Sequence, residues 1–181
     1  MKNILVIYAH PTPKRSGLNR HLFAAAGSLA HVETRDLYEL YPNLHIDVRA
    51  EQDALRQADA VIFQFPIYWF SSPAILKEWQ DTVLTSSFAY GGKENALDGK
   101  LFMLAVSTGG APSSYSQRGR HGAGIANYLA PFEQTARFCG MKLLDSIIVQ
   151  NVGTLTPGGL EHAVQTYLAR LNKIGECTDG T

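Results

Sequence analysis

The chain has 181 residues, 45% hydrophobic and 18% charged, which suits one ordinary globular domain with a real core. Sixteen Lys and Arg balance sixteen Asp and Glu, so no net field favours nucleic acid or a membrane surface. No apolar run reaches the roughly 18 residues that cross a bilayer, and Met1-Lys2-Asn3 opens no cleavable leader pattern, so a cytoplasmic protein is expected.

Ile4 to Ala9 is a short apolar run that reads as a first strand. The loop after it runs His10-Pro11-Thr12-Pro13-Lys14-Arg15-Ser16-Gly17 into a helix pattern over Leu18 to Leu29, with Ser16 as a good N-cap. A helix start offers free N–H groups and a positive dipole end, a prepared phosphate site. His10, Lys14 and Arg15 add donors or charge beside it. The loop is neither a Walker A motif nor a G-x-G-x-x-G turn, and an ordinary capped helix is the plainer alternative. Val32 to Asp36 is short and polar, which suits an edge strand, and Ala50 to Gln57 reads as a helix.

Ala60 to Phe65 is apolar enough for a strand buried on both faces. Pro66 should end it and open a loop through Ile67 that displays Tyr68, Trp69 and Phe70 above the sheet edge. A helix from Ala74 to Leu84 follows, with Ile75, Leu76, Trp79 and Val83 at helical spacing. Three aromatics at the carboxyl end of a strand lie where open α/β sheets hold ligands, and they suit a flat, polarisable ring such as a flavin. The competing reading has Trp69 and Phe70 simply filling the core.

Leu101 to Ser107 reads as a fourth strand and leads into Thr108-Gly109-Gly110. Paired glycines let backbone approach a ligand and aim N–H groups at it. The Gly- and Ser-rich loop beyond them carries Tyr115 and His121, a potential donor and a proton-transfer group. A helix from Gly124 to Cys139 follows, where Cys139 should be a buried, reduced thiol. Cys139 and Cys177 form neither a metal spacing nor a CxxC. Lys142 to Val149 reads as a fifth strand and Gly159 to Asn172 as a last helix, and residues 176–181 should fray. Five strand–helix alternations without hairpin signals imply one α/β domain over residues 1–175. The expected fold is a flavodoxin-like three-layer sandwich, with a five-stranded parallel sheet in the order 2-1-3-4-5.

Together these loops make the chain similar to the flavodoxin-fold NAD(P)H:quinone oxidoreductases of the DT-diaphorase type. The shorter bacterial members are the nearer match, among them the ancillary oxidoreductases of glutathione-gated potassium-efflux systems. The segments that carry the resemblance are Phe65-Pro66-Ile67-Tyr68-Trp69-Phe70 with Pro73 to Lys77, Thr108-Gly109-Gly110 with Tyr115 and His121, and Phe88-Ala89-Tyr90-Gly91. Tyr68 stands where diaphorase-type enzymes usually carry Gln, and Phe65 where the potassium-efflux members tend to carry His. The resemblance implies an FMN site, with FAD as the alternative. His10, Ser16, Leu18 and Asn19 would surround the phosphate, and Pro66, Ile67, Tyr68, Trp69 and Phe70 would line the ring. Thr108, Gly109 and Gly110 would bind the ring's polar edge, and Tyr115 and His121 would assist hydride transfer. It further implies NAD(P)H as co-substrate, a quinone or similar small acceptor, and a homodimer. A regulatory role beside a membrane transporter, at the periphery of the inner membrane, is the second reading. A flavodoxin-type electron carrier is the third, and the neutral charge disfavours it.

Overall fold

The computed structural model describes residues 1–12, 17–93 and 95–177. Its strands form one parallel sheet. β1 (Ile4–Tyr8) lies between β2 (Val32–Asp36) and β3 (Ala60–Pro66), and β3 pairs with β4 (Leu101–Ser107), so the expected order 2-1-3-4-5 holds. β1 and β3 are buried at every residue, whereas β2 is partly open, as an edge strand should be. Period-2 alternation deals the side chains to two cores. Leu5, Ile7, Phe63 and Phe102 face one, and Ile4, Val6, Ile62 and Met103 the other.

The fifth strand departs from expectation. Lys142 to Val149 is not continuous but divides into β5 (Lys142–Leu143) and β6 (Ile147–Val149), both paired to β4. Leu101 faces Lys142, an offset of 41, while Ala105 faces Ile147, an offset of 42, so one extra residue is inserted between them. That is a bulge on an edge strand, placed where Asp145 and Ser146 interrupt the β-formers.

Among the described residues six α-helices cover the sheet: α1 (Asn19–Ala26), α2 (Leu37–Leu40), α3 (Val48–Gln57), α4 (Ala74–Val83), α5 (Ile125–Phe138) and α6 (Pro157–Glu176). The single turn α2 was not expected; four residues show no period, but the Asp36 carboxylate caps it by accepting from the N–H groups of Tyr38 and Glu39. α6 begins two residues before the expected start, with Pro157 in its first turn and Thr156 as its cap. It runs on through Glu176, the first residue expected to fray, while residues 178–181 lie outside those described. Side chains of α1 and α6 fill one core, and those of α3, α4 and α5 fill the other. Cys139 is buried as expected, and burial pushes its thiol pKa up.

Candidate active site

The carboxyl ends of β1, β3 and β4 open onto a cleft of about 290 Å³. His10 and Thr12 close it from the β1 side, Gly17, Leu18 and Asn19 from the start of α1, Pro66, Ile67 and Tyr68 from β3, and Ser107 and Gly109 from β4. Of the expected phosphate residues, His10, Leu18 and Asn19 therefore meet in one place. Ser16, Lys14 and Arg15 lie outside the described residues. The position before α1 is Leu18, in helical geometry and with no side-chain cap. Among the described residues no hydrogen bond engages the Asn19 N–H, whereas that of His21 goes to the Leu18 carbonyl at 2.9 Å, so Asn19 is the donor this end offers to the cleft.

His10 is 6% exposed, and burial lowers its pKa. Its Nδ1 accepts from the Thr12 N–H at 3.1 Å, which puts the proton of the neutral ring on Nε2 as a donor. Asn19, 3% exposed, donates from Nδ2 to the Ser107 hydroxyl at 2.7 Å, while its Oδ1 is buried with no partner among the described residues. An orphaned amide oxygen at a cleft wall marks a place where a ligand belongs. Because Ser107 can donate as well as accept, a flip of the Asn19 amide would turn its NH₂ toward an anion at no loss.

Beyond Ile67 the chain folds back in the tightest turn available. Tyr68 and Ser71 exchange both backbone hydrogen bonds, at 2.9 and 3.0 Å, around Trp69 and Phe70. Both central residues are left-handed, with φ of 48° and 65°. A two-residue hairpin normally reserves such positions for Gly, Asn or Asp, so this turn carries strain of the kind that gathers at functional sites. Trp69 is 90% exposed, and Tyr68 and Phe70 are 40% and 45% exposed. The core-filling reading fails, and the aromatics are on display.

Phe70 meets the second half of the site. Its ring lies 5.2 Å from that of His121 and 5.2 Å from that of Tyr128, and Tyr115 lies 4.7 Å from His121. A Cβ at Gly110 would come within 3.1 Å of the Tyr115 ring and 3.3 Å of His121 Nε2, so the bare glycine lets the pair close onto the turn. Among the described residues no hydrogen bond engages the N–H of Gly109 or Gly110. Thr108 differs from its neighbours. Its N–H goes to the Val149 carbonyl and its hydroxyl donates to the Gly110 carbonyl, so it shapes the turn from within.

Four contributors escaped sequence reasoning. Ser107 lines the cleft, Gln64 and Tyr167 lie beneath it, and Tyr128 fixes the far loop by donating to the His121 carbonyl at 3.1 Å. Only Gln64 left a signal, as a polar residue inside an apolar strand.

A family profile described as a flavodoxin-like fold matches residues 2–173. The glutathione-regulated potassium-efflux system ancillary protein KefF of Salmonella typhi is similar at 41% identity over 177 residues, covering 98% of this chain and 99% of that protein. The general stress protein 14 of Treponema denticola, solved in complex with FMN, superposes with a TM-score of 0.90 at 36% identity, covering 95% of this chain and 99% of that one. An NADPH-quinone reductase from P. pentosaceus superposes with a TM-score of 0.84 at 31% identity, covering 99% of both chains.

Proposed function

The chain belongs to the flavodoxin-like fold family, and from that membership we propose that it is an FMN-dependent oxidoreductase passing hydride from NAD(P)H to a quinone or similar small acceptor. The observation that carries the reading is one junction: the start of α1, two glycine N–H groups with no partner among the described residues and a Tyr–His pair, gathered around the ends of β1, β3 and β4. The donor set fits the cofactor. The first turn of α1, Asn19 and His10 Nε2 suit a phosphate. The N–H groups of Gly109 and Gly110 suit the electron-rich edge of a flavin, and Pro66 to Phe70 suit its face. When bound there, FMN supplies the two-electron hydride chemistry. The chain's own residues hold it, keep donors fixed where charge develops, and manage a proton. In this reading Tyr115 donates a hydrogen bond to that edge, and His121 takes up the compensating charge or proton.

The test is direct. The purified protein is denatured and the released cofactor identified by absorption and mass, then NAD(P)H oxidation is followed with and without a quinone. A colourless protein that takes up no flavin on reconstitution overturns the reading.

A second role is compatible with the first. The similarity to potassium-efflux ancillary proteins supports docking to a membrane transporter, and among the described residues no helix is long and apolar enough to cross a membrane itself. Co-purification with a co-encoded transporter tests it. We further propose a homodimer, in which a second copy covers the exposed aromatic turn.

A further inference from the structure

We propose that Gln64 and Tyr167 are positioning residues for the cofactor phosphate, holding the start of α1 where Asn19 meets the cleft; the proposal rests on the flavin reading above. β3 is buried throughout, and Gln64 sits in it between Tyr8 of β1 and Ala105 of β4. A buried amide is costly there unless both its ends are satisfied. Both are. Gln64 Nε2 donates to the Asn19 carbonyl at 2.8 Å, and Gln64 Oε1 accepts from the Tyr167 hydroxyl at 3.1 Å.

The orientation of this chain of bonds is forced. A backbone carbonyl can only accept, so the NH₂ of Gln64 must face Asn19 and its oxygen must face Tyr167. Tyr167 reaches in from α6, 103 residues further along, with its side chain wholly buried. Asn19 is the first residue of α1, and its side chain is held separately by the Ser107 hydroxyl of β4. The helix start is therefore gripped by β3 through its backbone and by β4 through its side chain. Among the described residues no side-chain cap shares the task.

Such a grip costs little reorganisation when an anion arrives, which is how preorganised donors gain affinity. It acts on one part of the ligand only. The surfaces assigned to the flavin ring come from the Tyr68–Ser71 turn and the Gly109–Gly110 turn, neither of which touches Gln64 or Tyr167 through a hydrogen bond. Loosening the pair should therefore weaken the phosphate contact and spare the ring.

The experiment uses full-length protein stripped of flavin. Dissociation constants for FMN and for riboflavin, which lacks the phosphate, are measured by flavin fluorescence quenching in wild type, Tyr167→Phe and Gln64→Met. Thermal melting runs alongside. We expect FMN affinity to fall about threefold to tenfold in each variant, roughly the worth of one neutral hydrogen bond. Riboflavin affinity should stay within about twofold. Tyr167→Phe keeps the aromatic ring in the core and is decisive on its own if Gln64→Met melts too low to assay. An unchanged FMN-to-riboflavin preference, or equal weakening of both, overturns the proposal and leaves the pair a purely structural role. Wild-type protein that binds neither flavin brings down the flavin reading itself, and the proposal with it.

Discussion

Tyr115 and His121 are in ring contact beside a glycine that leaves room for both, and Phe70 and Tyr128 hold them from the other side. A donor held this way is worth more in the transition state than in water, because it need not reorganise as charge develops. Tyr115→Phe and His121→Gln should each slow flavin reduction by NAD(P)H, by up to about 10²-fold where the donor acts fully, and leave flavin content unchanged. Stopped-flow measurement of the reductive half-reaction checks this, and wild-type rates in both variants would return the pair to loop decoration. His10 gives a prediction of another kind. Burial lowers its pKa in the fold, while the unfolded side chain titrates near 6.5. The unfolded state then binds the extra proton first, so this contribution to stability is complete above about pH 6.5 and is lost as the pH falls toward the lower folded value. Urea unfolding of the flavin-free protein at neutral and mildly acidic pH should show a smaller loss in His10→Gln than in wild type. An identical loss in the two would assign the pH dependence to other groups.

At the scale of elements, the lower half of the molecule is tied by one buried carboxylate. Glu51 of α3 is fully buried and receives the Arg35 guanidinium of β2 at 2.7 Å and the Trp79 indole N–H of α4 at 2.8 Å. The Tyr41 hydroxyl donates to the same carboxylate, and burial followed by that bond pushes the Tyr41 pKa up to about 12. Three elements thus converge on one charge, and removing it leaves Arg35 largely buried with the half-exposed Glu33 and a long bond to the Tyr41 hydroxyl, at 3.5 Å, for partners. Glu51→Gln should cost about 3 kcal/mol of unfolding free energy, as broken buried pairs do, and spare bound flavin in the protein that stays folded. A loss below about 1 kcal/mol in urea titration would show the other bonds suffice. None of this was legible in the sequence, where Glu51 reads as one more charge on a helix. What was legible follows from periodicity: the apolar runs of β1, β3 and β4 fix a doubly covered sheet and its order. The loops were legible as chemistry because Pro66 and Gly109-Gly110 punctuate strand ends. The bulge in the fifth strand, the turn α2 and the Gln64–Tyr167 bond depend on contacts across the fold, which no local pattern encodes.

For the molecule as a whole, the exposed aromatics define a surface. Phe70 packs on Tyr128 near the start of α5, and Tyr90 packs on Phe138 at its end, with ring centres 5.2 and 5.0 Å apart. Ten residues of helix separate Tyr128 from Phe138, about 15 Å. The exposed residues between them are Ala130, Pro131 and Gln134, uncharged and mostly small, and Arg137, which pairs with Glu133 at 3.5 Å. Phe138 is 64% exposed beside a groove of about 310 Å³ that Leu84 and Tyr90 also line. A band of this length with exposed apolar side chains at both ends marks an interface, and small residues let a second helix approach closely. A two-fold pair is the commonest closed assembly and buries the same band twice. The expected state is a homodimer joined along α5, with the second copy covering the Trp69 turn and so shielding the site from water. Ala130→Glu adds a charge to the exposed side of α5 between the two ends of the band, without touching either core. It should convert a dimer into a folded monomer in light scattering at micromolar concentration, with much reduced turnover and unchanged secondary structure. A wild-type monomer with full activity would refute the dimer, and a variant that stays dimeric would move the interface off α5.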